Sequence, residues 1–184
     1  KPTGALVVLQ TNRAERIYSC TPRKVEYLDK MYSIDYCYWN YLRVYVPAGT
    51  LLTNASPHQI PADWMLLQEP VPARVDTLDE KIAGVQGYGT LVVVPGGQAR
   101  DTRFEFALPA RVVSPGAGTK QFTYSLKIKK QPGTTAIPAT LRVHLPPGAR
   151  VDAVNVKATI DGANILVETD LRKDVQLKVT FTVP

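Results

Sequence analysis

YCYWNYLRVYVPAGT, Tyr36 to Thr50, is the stretch that decides the fold. Rings and branched aliphatics dominate it, and it runs into the turn Pro47-Ala-Gly49. Aromatic and β-branched residues suit a pleated strand. Proline cannot donate to a ladder, so it ends the strand just where glycine lets the chain turn. At a period of two, Tyr36, Tyr38, Asn40, Leu42, Val44 and Val46 share one face. Cys37, Trp39, Tyr41, Arg43 and Tyr45 share the other.

The first face ends as an aliphatic core stripe. The second is a row of rings with one guanidinium, and such a row has two uses. Rings stack on the apolar faces of sugars while an arginine donates to hydroxyls or acidic groups. This makes Trp39, Tyr41, Arg43 and Tyr45 the candidate ligand-binding residues of a carbohydrate-binding module. In the other arrangement, which we expect, the long segment 51–80 lies across the rings and buries them as structure. Arg43 then stacks on Tyr41 or Tyr45 as a cation–π pair.

The strand-then-turn pattern recurs in Val44-Tyr-Val-Pro-Ala-Gly49, Val92-Val-Val-Pro-Gly-Gly97 and Val143-His-Leu-Pro-Pro-Gly148. It marks either duplicated sandwich units or, more simply, one turn that a β-rich chain reuses. Strands are expected at Ala5–Thr11, Arg16–Cys20, Ser33–Val46, Val85–Val94, Thr102–Leu108, Phe122–Lys130, Thr140–Leu145, Ala153–Thr159, Asn164–Thr169 and Val175–Val183. In the last of these, Val175, Leu177, Val179 and Phe181 alternate with Gln176, Lys178 and Thr180, the pattern of a sheet with one wet face. The 15 prolines among 184 residues argue against long helices. One short helix is expected at Ala62–Leu67 and a second at Asp76–Ile82.

The fold class is therefore all-β, with antiparallel β-sandwiches and at most one or two short helices. Segment 51–80 reads as a long loop, carrying Pro57, Pro61, Pro70 and Pro72 with little alternation. Val113-Ser-Pro-Gly-Ala-Gly-Thr119 reads as a linker or wide turn. A boundary there gives a β-rich domain at 1–113 and an immunoglobulin-like sandwich at 114–184, continuous with the first or separate from it.

Composition narrows the function. At 45% hydrophobic residues the chain can build a core, and no apolar run reaches the roughly 18–20 residues that span a bilayer. The opening Lys1 looks like a trimmed end, so an export signal or membrane anchor upstream stays open. The net charge of +6 is spread along the chain, unlike the clustered cations of a nucleic-acid binder. The densest group, Lys127, Lys129 and Lys130, fits a solvated strand edge.

Cys20 and Cys37 are the 2 cysteines. They suit a bridge across a hairpin, which would stabilise by about 3 kcal/mol for a loop of this size and fit an oxidising compartment. Free buried thiols remain the other reading.

Catalytic signals are weak. The histidines are His58, beside Pro57 in the long segment, and His144, inside a strand. Neither has a Gly-x-Ser-x-Gly or a similar nucleophile to serve, and too few ligands accompany them for zinc. Gly84-Val-Gln-Gly-Tyr-Gly89 precedes a strand rather than a helix, so it is no phosphate cradle. Asp76, Asp79 and Glu80 cluster, and Asp101 and Glu105 share a strand face, leaving a hydrolase with a carboxylate or His site as a further alternative. No cofactor is expected. Asn54-Ala-Ser56 fits a glycosylation sequon but reads here as a loop asparagine.

Three stretches together resemble a family of uncharacterised, membrane-anchored bacterial cell-envelope proteins, a domain of unknown function. They are Tyr38-Trp-Asn-Tyr-Leu-Arg-Val-Tyr-Val-Pro-Ala-Gly49, Gly89-Thr-Leu-Val-Val-Val-Pro-Gly-Gly97 and Leu126-Lys-Ile-Lys-Lys-Gln-Pro-Gly-Thr134. Their order and spacing are similar to the C-terminal region of that family over most of 1–145. The resemblance implies a domain outside the membrane, attached to it only through an N-terminal anchor lying outside this sequence. It brings no catalytic residues, and its location favours the Cys20–Cys37 bridge. The expected function is that of a non-catalytic extracytoplasmic domain for assembly or recognition at the bacterial surface. Its expected partners are envelope polysaccharide or another envelope protein, and not nucleic acid.

Overall fold

The computed structural model describes residues 1–15, 19–27, 30–34 and 36–184. Its regular elements are nearly all strands, and every pairing among the described residues is antiparallel. The chain divides into two compact units, Lys1–Pro109 and Ala110–Pro184.

In the first unit, β1 (Thr3–Thr11), β8 (Ala99–Ala107) and β5 (Leu51–Ala55) form one sheet in the order β1-β8-β5. A second sheet has the order β4-β7-β6, from β4 (Tyr38–Pro47), β7 (Val85–Val94) and β6 (Asp76–Leu78). Val44 of β4 and Tyr88 of β7 meet Phe104 and Phe106 of β8 in a buried cluster, so the two sheets pack as a sandwich. The Tyr88 hydroxyl is satisfied inside this core. It donates to the Thr50 carbonyl at 3.0 Å and accepts from the Leu52 N–H at 3.2 Å.

β2 (Arg23–Tyr27) and β3 (Lys30–Ile34) form a hairpin, and a Cys20–Cys37 disulfide closes its base with Cα atoms 5.5 Å apart. The single strand expected at Ser33–Val46 is thus two, β3 and β4, with Tyr36 and Cys37 in neither. One of them carries the cross-link, which holds the chain at that point out of a continuous ladder. The strand expected at Arg16–Cys20 falls, for residues 16–18, outside the described residues. Ser19 and Cys20 belong to no strand.

Segment 51–80 is a loop only in part. It contributes β5, a 3₁₀ turn at Ala62–Trp64, a bridge between Ile60 and Val71, and β6. The helix expected at Ala62–Leu67 shrinks to that turn, and the one expected at Asp76–Ile82 is β6 instead. β7 has an open edge there whose amides need partners, and pairing overrides the weak local helix preference.

In the second unit, β9 (Val113–Pro115), β10 (Gln121–Ile128), β12 (Arg150–Val154) and β15 (Val175–Thr182) form the sheet β12-β15-β10-β9. β11 (Ala139–His144), β14 (Asn164–Thr169) and β13 (Thr159–Asp161) form the sheet β11-β14-β13. Ile165 and Val167 of β14 pack on Leu177, Val179 and Phe181 of β15, the apolar set predicted by alternation. Four strands pack against three as a sandwich, and the last strand lies between β10 and β12, an order that differs from the immunoglobulin one expected for 114–184.

Two elements here differ from those expected of the sequence. Val113–Pro115 pairs with Phe122–Tyr124, so part of the expected linker is a strand. The strand expected at Ala153–Thr159 breaks into β12 and β13. The ladder bulges between Val151 and Ala153, and the Asn155 side chain ends it by donating to the Gln176 carbonyl at 2.9 Å and accepting from the Lys178 N–H at 2.6 Å.

Candidate recognition face

β7 carries glycine at Gly87 and Gly89, two positions apart on the face away from the core. Side chains of the neighbouring strands fall into the space these glycines leave. A Cβ added to Gly89 would stand 2.6 Å from the Tyr41 ring edge and hydroxyl. One added to Gly87 would stand 3.0 Å from the Leu78 Cβ and 3.3 Å from the Tyr45 ring. Tyr41 and Tyr45 therefore lie down across β7 toward β6.

Their hydroxyls are anchored on the far side. Tyr41 donates to Asp76 Oδ2 at 2.9 Å, and Tyr45 donates to Glu80. Arg43, between the two rings in sequence, donates to Glu80 Oε1 at 3.0 Å and stands 5.7 Å from the Tyr41 ring centre. Arg74 pairs with Asp76 at 3.1 Å. Two cations and two carboxylates thus balance on one face, which gives a polyanion no net attraction. The Tyr41 phenol is held above its ordinary pKa, chiefly by partial desolvation and then by its bond to Asp76. The Tyr45 phenol is raised chiefly by its bond to Glu80. Both rings therefore stay neutral and keep donating at physiological pH.

The rings of β4 are open, contrary to the covered arrangement expected from the sequence. Trp39, Tyr41 and Tyr45 are 36%, 38% and 44% exposed. Segment 51–80 covers β7 instead. Ile60, Trp64, Met65 and Val71 cluster with Val93, Leu91 and the buried Cys20. The reason is in the strand order: β7 is central and pairs with β6 of this same segment, which carries 51–80 over Leu91 and Val93 rather than over the edge strand β4.

A shallow recess of about 110 Å³ adjoins the rings, lined in part by Tyr41, His58, Arg74, Asp76 and Thr90. It is below the roughly 300–1,000 Å³ of a small-molecule pocket. His58 Nε2 lies 2.8 Å from the Asp101 carbonyl oxygen. Of the acidic residues singled out in the sequence, Asp76 and Glu80 converge on the aromatic face. Glu105 pairs with Arg103 at 2.7 Å on β8, in the other sheet, which also carries Asp101. His144 Nδ1 lies 2.7 Å from Asn164 Oδ1, a pair between strand neighbours. Among the described residues, no group of three or more His, Cys, Asp or Glu is placed to hold a metal. None of their helices is long and apolar enough to cross a membrane.

Trp39, Tyr41, Arg43 and Tyr45 are legible in the sequence, whereas the roles of Gly87 and Gly89 as seats for the rings and of Asp76 and Glu80 as their anchors emerge only in the fold. One signal was present. Glycines spaced by two inside a strand mark a close approach from above.

Compared with models of known protein families, with curated proteins and with solved structures, the chain matches none.

Proposed function

We propose that this chain is a non-catalytic recognition domain of the bacterial cell envelope that binds polysaccharide on the open β4-β7-β6 face. The observation that carries the reading is the pinning of Tyr41 and Tyr45. Each ring rests one side on a glycine of β7, and each is fastened at its hydroxyl. A ring ordered in advance costs little further entropy on binding, and its apolar face is offered to the C–H face of a sugar. Arg43, Arg74, Asp76 and Glu80 supply donors and acceptors around the rings for hydroxyl groups.

The disulfide supports a setting outside the cytoplasm, where such bonds persist. The likeness of Tyr38–Gly49, Gly89–Gly97 and Leu126–Thr134 to an envelope family supports the bacterial surface.

The test is a glycan array carrying peptidoglycan fragments, lipopolysaccharide cores and capsular polysaccharides. The chain is expected to bind a subset of these, and Tyr41→Ala with Tyr45→Ala to lose that binding while keeping the wild-type circular dichroism. An array without bound glycans, or binding indifferent to both substitutions, would end the proposal. Acrylamide quenching of Trp64→Phe, which leaves Trp39 as the sole indole, should report an accessible ring.

A further inference from the structure

Among the described residues, β1 is the longest edge strand without a charge, a proline or a bulge. Other edges are blunted. β5 is bulged between Leu52 and Asn54, β12 between Val151 and Ala153, β6 and β13 have three residues each, β9 contains Pro115, and β4 carries Arg43 and ends at Pro47. Natural sheets protect their edges by such devices. β1, TGALVVLQT, has none.

The direction of its free amides follows from the ladder. Leu108 N–H donates to the Pro2 carbonyl and Asn12 N–H to the Gln98 carbonyl, both at 2.9 Å. These pairs continue the β1–β8 register, in which Leu6 faces Phe104 and Val8 faces Thr102. Even-numbered residues therefore bond to β8, and antiparallel alternation turns the N–H and C=O of Thr3, Ala5, Val7, Leu9 and Thr11 to the open side. The same five side chains are all exposed, with Val7 at 52% and Leu9 at 68%.

We infer that β1 is a self-association strand, pairing antiparallel with β1 of a second copy about a two-fold axis through Val7. The strand is its own complement. In that register Val7 faces Val7, Ala5 faces Leu9 and Thr3 faces Thr11 of the second copy, each as a hydrogen-bonded pair. Small meets large at Ala5 and Leu9, polar meets polar at the ends, and no like charges oppose each other. The result is a continuous six-stranded sheet across the dimer. The aromatic face belongs to the other sheet of the sandwich and stays open, so each dimer carries two such faces.

Sedimentation equilibrium of the 184-residue chain tests this. Wild type should approach twice the 20.3 kDa of one chain as concentration rises. Val7→Lys places two lysines directly opposite and should weaken the dimer by about tenfold or more. Leu51→Lys, at an exposed position on β5 at the other edge, should leave it unchanged. Register is read by oxidative cross-linking. Opposed Cα atoms of a hydrogen-bonded pair lie about 5.5 Å apart, within disulfide reach. Val7→Cys should give a covalent dimer, and Leu9→Cys alone should not. Circular dichroism matching wild type establishes that each variant folds. A wild-type monomer at all concentrations would overturn the inference. So would a dimer broken by Leu51→Lys but not Val7→Lys, or one cross-linked by Leu9→Cys and not Val7→Cys.

Discussion

Tyr41 fills the volume that Gly89 leaves empty: a Cβ on Gly89 would stand 2.6 Å from the ring, whose hydroxyl reaches on to Asp76 at 2.9 Å. The two residues belong to neighbouring strands and are linked by shape alone. Gly89→Ala must lift the ring and break its anchor. It is expected to cost about 1–3 kcal/mol, as overpacking does. In a Tyr41→Ala background the same change should cost markedly less, because the obstruction is gone. Urea unfolding of the two single variants and the double variant measures the coupling. A cost at Gly89 independent of residue 41 would show that the ring does not rest there.

The disulfide is the second point of control. Cys20 is fully buried against Ile60 and Val93, and its bond to Cys37 spans a sequence separation of 17. Replacing both cysteines by alanine is expected to cost about 3 kcal/mol in the first unit through the freed unfolded chain. The 110–184 unit, which contains no cysteine, should unfold as before. Amide exchange resolved by residue separates the two. Equal loss in both units would count against this assignment.

Acid should weaken the second unit. The carboxyl of Asp152 lies below its ordinary pKa of 3.8, first through hydrogen bonds from Thr182 and Gln121, and Asp174 lies low first through Lys129. A folded-state pKa below the unfolded one adds stability that is present above the ordinary value and is lost as pH falls through the depressed one. Unfolding midpoints should therefore fall below about pH 4. Asp152→Asn should flatten that dependence, as judged by urea titrations from neutral pH downward.

The opposite sign holds at high pH. Tyr41 and Tyr45 are raised above 10.0, so their contribution is whole below that value and is lost as pH climbs through the raised ones. Tyr124 is raised too, by burial. Ultraviolet titration should show a late-ionising fraction that Tyr41→Phe, Tyr45→Phe and Tyr124→Phe each reduce.

One buried group in the first unit costs stability. Thr102 is fully buried on β8 and its hydroxyl has no partner among the described residues. Thr102→Val keeps the shape and removes that burden. It is expected to stabilise by about 1 kcal/mol in thermal or urea unfolding. A loss of stability instead would reveal a partner for the hydroxyl.

The strand class was legible in the sequence because period-two alternation reports which residues a sheet buries. Val175–Val183 announced both its strand and its inward set, Leu177, Val179 and Phe181. The ring face of β4 was legible for the same reason, down to Trp39, Tyr41, Arg43 and Tyr45. What covers that face was not. Segment 51–80 read as a roof over the rings, yet it pairs along β7 and packs on Leu91 and Val93. Asp76–Leu78 read as helical until β7 offered it an edge. Periodicity is a local property, and it fixes which way a side chain points from its own strand. Which strands become neighbours, and so whether Tyr41 meets Gly89 and Asp76 or solvent alone, depends on pairing energies between residues far apart in sequence. Those are settled only when the sheet assembles.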